Sequence, residues 1–269
     1  MTISAELTAV RRESAPRTSV GWSTAYAVLT RRSLAATVRT GVLFFAIGSP
    51  IVFFTCFYVP LHSRFERSGV DYAQYVLPLV ILQAGIFVAI ISCEIAGEEA
   101  TGGMRERLSS LPISHLTPGA ARMTNAVVRI GVSALAVALY ASVFGFRLHG
   151  NVIESIGFFA LAIIFALALS MMADALGGVA THAESIAQML MIPQLLLVMC
   201  STGLVPADAF PEWIEPVVRN QPVSVFAEAM RALSTGTDVQ TAPVVGWSVG
   251  LLAAGTLCLA LTARKGEQR

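Results

Sequence analysis

"YAQYVLPLVILQAGIFVAIISC" occupies residues 72–93 and contains no Asp, Glu, Lys or Arg. A helix crosses the hydrocarbon core of a bilayer in about 20 predominantly apolar residues. The apolar residues here run continuously instead of alternating, so the segment reads as a membrane helix and not as a barrel strand. Working outward, five more charge-free runs lie at 41–61, 130–146, 155–173, 185–207 and 239–263. The third run of the six, 130–146, is the shortest. It extends backward through Asn125 to Val128 with Arg129 near the interface. Together the runs predict an all-α polytopic membrane protein with six transmembrane helices.

Composition agrees. The chain is 55% hydrophobic and 13% charged, about half the charged fraction of soluble domains, roughly 25%. A net charge of +1 without a basic run excludes a nucleic-acid partner. Cys56, Cys93, Cys200 and Cys258 each stand alone in apolar surroundings, and His62, His115, His149 and His182 are scattered. Neither set has the spacing of a metal or disulfide framework, so no metal site is expected.

Orientation follows from the basic residues, which concentrate on cytoplasmic loops. With both termini cytoplasmic, twelve Arg and Lys fall inside, five fall outside, and Arg129 lies within a span. An even number of spans fits that placement in the cytoplasmic membrane. No signal peptide is expected, because the first apolar run begins forty residues in and is too long. Residues 1–20 read as a polar cytoplasmic tail, 21–263 as one six-span membrane domain, and 264–269 as a short cytoplasmic tail. Within 22–39, Trp22, Tyr26, Leu29, Ser33 and Ala36 fall at helical spacing, with Arg31, Arg32 and Arg39 positioned for headgroups. This predicts an amphipathic helix lying along the inner leaflet.

The chain has no phosphate-binding loop, and Lys265 is its single lysine. ATP hydrolysis is therefore not its own chemistry. "GWSVG" (246–250) matches G-x-S-x-G, but it lies inside an apolar run with no acid or histidine partner following. The same glycines, with Gly255, read as a close helix-packing motif. Glu94, Arg129 and Asp174 sit at the cytoplasmic ends of spans. They form a candidate ion pair or triad, with a proton or ion relay as the alternative.

Two segments carry more information. The connection 94–123 has mixed charge, and residues from Thr101, Gly102 and Gly103 onward can start a short helix that Pro112 ends. The spacing of Gly103, Glu106, Leu108 and Pro112, preceded by Glu98 and Glu99 and including Arg105, resembles the coupling loop of type-2 ATP-binding-cassette export permeases. The stretch 207–235, with Phe210, Pro211, Trp213, Asn220, Pro222, Phe226 and Arg231, resembles the segment between the last two spans of that family. Its "NQPVS" wording is similar to actinobacterial daunorubicin-resistance-like permeases. Pro216 and Pro222 divide it, and Val223, Phe226, Met230 and Leu233 share one face. It reads as an interfacial or re-entrant helical pair covering the pathway, with a lipid-anchored connector as the alternative.

The resemblance implies a mechanism. Two permease chains, identical or homologous, form the pathway. Separate ATPase subunits, which bind ATP and Mg, drive it through the coupling loop. The implied substrate is a lipid, polyketide-type lipid or hydrophobic drug in contact with membrane lipids. The competing class is an ion-coupled secondary carrier or channel, which calls for polar midplanes and broken helices. Pro50 and Pro193 are the only obvious disturbances here.

Overall fold

The computed structural model describes residues 21–67, 69, 71–103, 116–180, 182–207 and 210–267. Among them the chain is all-helical, with nine helices and no strand. These are α1 (Trp22–Arg39), α2 (Val42–Glu66), α3 (Tyr72–Thr101), α4 (Leu116–Ser142), α5 (Val152–Val179), α6 (Ala183–Met199), α7 (Glu215–Asn220), α8 (Pro222–Thr235) and α9 (Thr241–Glu267). Segments of α2, α3, α4, α5 and α9 are each long and apolar enough to cross a membrane. The run 185–207 resolves into a shorter piece: α6 has 17 residues, about 25 Å of helix.

The quoted run lies at the centre. Through residues 72–93 α3 is apolar on every face, which is the pattern of a helix enclosed by others. It packs most extensively against α5, and also against α2, α4, α6 and α8. α2 and α9 sit at the periphery with most of their apolar surface outward.

Small residues let α3 and α5 approach closely. A Cβ on Gly177 would overlap the carbonyl oxygen of Cys93, and one on Gly85 would lie 3.1 Å from the Ala166 Cβ. Gly97 meets Ala183 of α6 in the same way. Close backbone approach of this kind replaces hydrophobic burial as the adhesive between membrane helices. The glycines expected to pack in α9 behave differently: Gly246 and Gly250 face open space, and only Gly255 abuts α5, at Ala168 and Met171.

Proline occurs inside α2 (Pro50, Pro60), α3 (Pro78) and α6 (Pro193), so the expected pair is incomplete. Pro50 shows how the loss of an N–H is absorbed. The Ala46 carbonyl it leaves free accepts a hydrogen bond from the Ser133 hydroxyl of α4 at 2.6 Å. Inside an apolar solvent such a carbonyl needs a partner from a neighbouring helix.

α1 uses the Tyr26–Ser33 side of its helix against protein. Tyr26 Oη lies 2.5 Å from Thr124 Oγ1, and Asn125 donates to Ser33 Oγ (2.6 Å) and Thr37 Oγ1 (2.8 Å). A seam of hydroxyls and one amide thus fixes α1 to the first half of α4.

Candidate functional site

Two groups of polar side chains stand at opposite ends of the bundle, and α3 connects them. At the C-terminal end of α3 the helix continues to Thr101, so Glu94, Glu98 and Glu99 are helical and not part of a loop. Gly102 N–H donates to Glu98 O at 2.8 Å, and Gly103 follows with φ +68°. A left-handed residue just past the last turn favours glycine. Thr101, Gly102 and Gly103 therefore end α3, and the short helix expected to run from them to Pro112 lies outside the described residues. α4 is helical from Leu116, the first described residue after Gly103, so both ends of the expected connection 94–123 belong to helices. Arg105, Glu106, Leu108 and Pro112 lie outside the described residues.

The ion pairing expected of Glu94, Arg129 and Asp174 is not what forms. Asp174, buried on α5, takes Arg122 in a two-pronged contact: Nε to Oδ1 at 2.6 Å and Nη2 to Oδ2 at 2.9 Å. The third prong, Nη1, reaches Glu99 Oε2 at 2.7 Å. Arg122 precedes Arg129 by seven residues, two turns along one face of α4. That nearer position meets the level of Asp174, so Arg122 captures the carboxylate. Arg129 is 1% exposed and forms no ion pair among the described residues. Its Nη2 donates to Ser92 Oγ (2.9 Å) and Val88 O (3.3 Å), while Nε and Nη1 meet no described acceptor. Glu94 has other carboxylates, Glu98 and Glu184, as its charged neighbours.

The opposite end is organised around Gln74 and Arg231. Asp71 caps α3 by accepting from Ala73 N–H (2.9 Å) and Gln74 N–H (3.4 Å). Gln74, buried one turn in, donates to Arg147 O (2.9 Å) and Ser234 Oγ (2.8 Å), and accepts from Arg147 N–H (3.1 Å). One amide therefore joins α3, the α4–α5 turn and the end of α8. The Arg231 guanidinium lies 3.8 Å from the centroid of the Tyr75 ring. It donates to Tyr75 O (3.3 Å) and Thr202 O (3.4 Å). Burial pulls its pKa below the ordinary arginine value, against the opposing pull of Tyr75 and Glu228.

Pro216 and Pro222 stand in the first turns of α7 and α8, where a missing N–H costs nothing. Gln221 between them donates to the carbonyls of Cys200 and Leu197, tying the pair to the end of α6. Asn220 O accepts from the Trp247 indole of α9 at 3.0 Å. Phe226 is fully buried, 5.1 Å from the Phe165 ring, and belongs to the main core along with Val223 and Met230. It is not a free gate surface. Trp213, by contrast, is 79% exposed, Pro211 O accepts the turn bonds of Ile214 and Glu215, and Phe210 is half-buried. Beside this segment lies a cleft of about 640 Å³ whose lining includes Tyr75, Thr202, Glu228, Arg231 and Asp238.

A family model for the ABC-2 family transporter protein matches residues 57–264. The chain belongs to the ABC-2 family of transporters. The doxorubicin resistance ABC transporter permease protein DrrB of Mycobacterium tuberculosis is 37% identical over 82% of this chain and 79% of its own. The probable doxorubicin resistance permease DrrC of the same organism is 27% identical over 82% and 81%. The daunorubicin resistance permease DrrB1 of Streptomyces coeruleorubidus is 27% identical over 76% and 70%. The match to the ABC-2 model starts within α2 and ends within α9, so it includes the Arg122 clamp and the α7–α8 segment and leaves α1 outside. This ABC-2 chain is a multi-pass membrane protein by family and by its long apolar helices.

The two organising residues least visible in the sequence, Arg122 and Gln74, each had a signal. Arg122 shares a helix face with Arg129 at a spacing of seven, and Gln74 is the first of two amides, with Gln83, in the quoted apolar run.

Proposed function

We propose that this chain is the membrane subunit of an ATP-driven exporter that moves a hydrophobic drug or lipid across the cytoplasmic membrane. It crosses six times, through the five long helices and α6, with both termini inside and α1 along the inner leaflet. A second permease chain completes the pathway, and a separate ATPase subunit binds ATP and Mg. Residues 102–115, with Glu106 and Leu108 at the centre, dock on that ATPase. The substrate class comes from the relatives, whose names record resistance to doxorubicin and daunorubicin.

The observation that carries this reading is the Arg122 clamp. Arg122, near the described N-terminal end of α4, holds both Glu99, near the end of α3, and Asp174 of α5. A push on the connection 102–115 is therefore delivered to three helices at once. Outward of the bundle, the α7–α8 segment covers the pathway, with Trp213 as its exposed edge.

The test is co-purification in detergent with the candidate ATPase. The native chain is expected to retain it, and Glu106→Ala combined with Leu108→Asp to lose it. Trp213→Asp should keep the ATPase and lower export. If the native chain retains no ATPase, the exporter reading fails.

A further inference from the structure

Two buried amides on the seam between α3 and α6 lack a hydrogen-bond donor for their carbonyl oxygens. Gln83 of α3 is 4% exposed and Gln194 of α6 is 6% exposed. The Oε1 of each is buried and meets no donor among the described residues. An amide carbonyl without a donor is costly inside a helix bundle surrounded by lipid. The two residues lie on facing sides. The buried residues of α6 are Ala183, Ala187, Gln194 and Val198, one stripe at helical spacing, and α6 packs most extensively on α3.

The register of the seam shows why the amides do not bond to each other. A Cβ on Gly97 would overlap that of Ala183, and one on Gly203 would lie 2.8 Å from the Leu79 Cβ. The two stretches therefore run antiparallel and in step from Gly97–Ala183 to Leu79–Gly203. In that register Gln83 stands opposite the stretch Leu197 to Met199, and Gln194 stands opposite Ile86 to Val88. Gln194 thus misses Gln83 by one helical turn, about 5 Å along the axis. Packed helices change state by ratchets of this size. α6 is free to make one, because it is held along a single stripe while Met191, Ile192, Leu195, Leu196 and Leu197 are exposed.

We propose that α6 has a second seating on α3, one turn toward the Gln74–Arg231 end, in which the Gln83 and Gln194 amides bond to each other. Each amide carries donors and an acceptor, so one reciprocal pair satisfies both carbonyls. The shift carries the Leu197 and Cys200 carbonyls with it. Gln221 donates to both, so the α7–α8 segment travels with α6. Only the use of this motion, to open the outer cover during export, rests on the exporter reading.

The test traps the two seatings as disulfides in the purified full chain in dodecyl maltoside, with the four native cysteines replaced by alanine. Ile90 of α3 stands opposite Leu190 in the present register and opposite Ala187 after the shift. Ile90→Cys with Leu190→Cys therefore reports the seating described, and Ile90→Cys with Ala187→Cys the second. Both pairs are expected to close under copper phenanthroline. Gln83→Leu and Gln194→Leu should each slow closure of the Ala187 pair about fivefold, the population change that one or two interhelical hydrogen bonds carry in a membrane. Neither should slow the Leu190 pair. Combining the two leucines should slow the Ala187 pair no further, because either one alone removes the bond. If a leucine variant fails to fold, methionine at the same position takes its place. An Ala187 pair that never closes, that closes equally fast without the glutamines, or that slows additively in the double variant overturns the second seating. Because no ATPase takes part, these outcomes are separate from the co-purification result.

Discussion

At the scale of single residues, the decisive contact is Arg122 with Asp174. Asp174 is 2% exposed, and an ionised carboxylate at that depth is tolerable only when paired. Arg122→Met leaves it without its two-pronged partner, and breaking a buried pair costs about 3 kcal/mol. A fall in the melting temperature of the detergent-purified chain is the expected result. Adding Asp174→Leu should restore most of it, because removing both charges also removes the desolvation penalty. A single variant as stable as the native chain would show that the clamp is not holding these helices. Arg129 shows why sequence alone paired Asp174 with the wrong arginine. Both arginines lie on one face of α4, and depth along the helix decides between them. Depth depends on how far α4 extends ahead of its apolar run, and α4 is already helical at Leu116, well before the run that marks it in the sequence.

At the scale of elements, the glycines divide by what their missing Cβ would meet. Gly177→Val would drive a side chain into the Cys93 carbonyl, and overpacking of this kind costs about 1–3 kcal/mol. Gly246→Ala and Gly250→Ala meet open space and should gain a little from helix propensity, up to about 1 kcal/mol each. Thermal unfolding monitored by circular dichroism in detergent distinguishes the two directions; if Gly177→Val is neutral, α3 and α5 are not in the contact described. The sequence motif G-x-x-x-G marked the α9 glycines, yet the tight seam uses Gly85, Gly97 and Gly177, which are not at that spacing. Helix existence was legible because continuous apolar runs have few alternatives in 269 residues of this composition. Helix ends were less so, since charged turns such as Glu94 to Thr101 continue a helix without any apolar signal. The amphipathic face of α8 was legible in Val223, Phe226 and Met230, because helical spacing sets which residues share a face. Which surface that face meets was not, and Phe226 proves to be core.

At the scale of the whole molecule, the open physical question is whether α6 crosses the membrane. Its 17 residues span about 25 Å, less than the roughly 30 Å of a hydrocarbon core. A short helix can still cross if the bilayer thins or flanking residues reach the interface. Gln221 ties the end of α6 to the α7–α8 segment through the Cys200 and Leu197 carbonyls. A helix end with its carbonyls satisfied by protein can stop short of water. Crossing puts His182 and Trp213, both exposed, on opposite sides. With the four native cysteines replaced, His182→Cys and Trp213→Cys are labelled with a membrane-impermeant maleimide in intact cells. The six-span arrangement predicts labelling of Trp213→Cys alone, and labelling of His182→Cys only after permeabilisation. Labelling of both in intact cells would leave α6 as a re-entrant element and place five spans between the ends of the chain. Those ends would then lie on opposite faces, and the orientation derived from the arginines would have to be abandoned along with the sixth crossing.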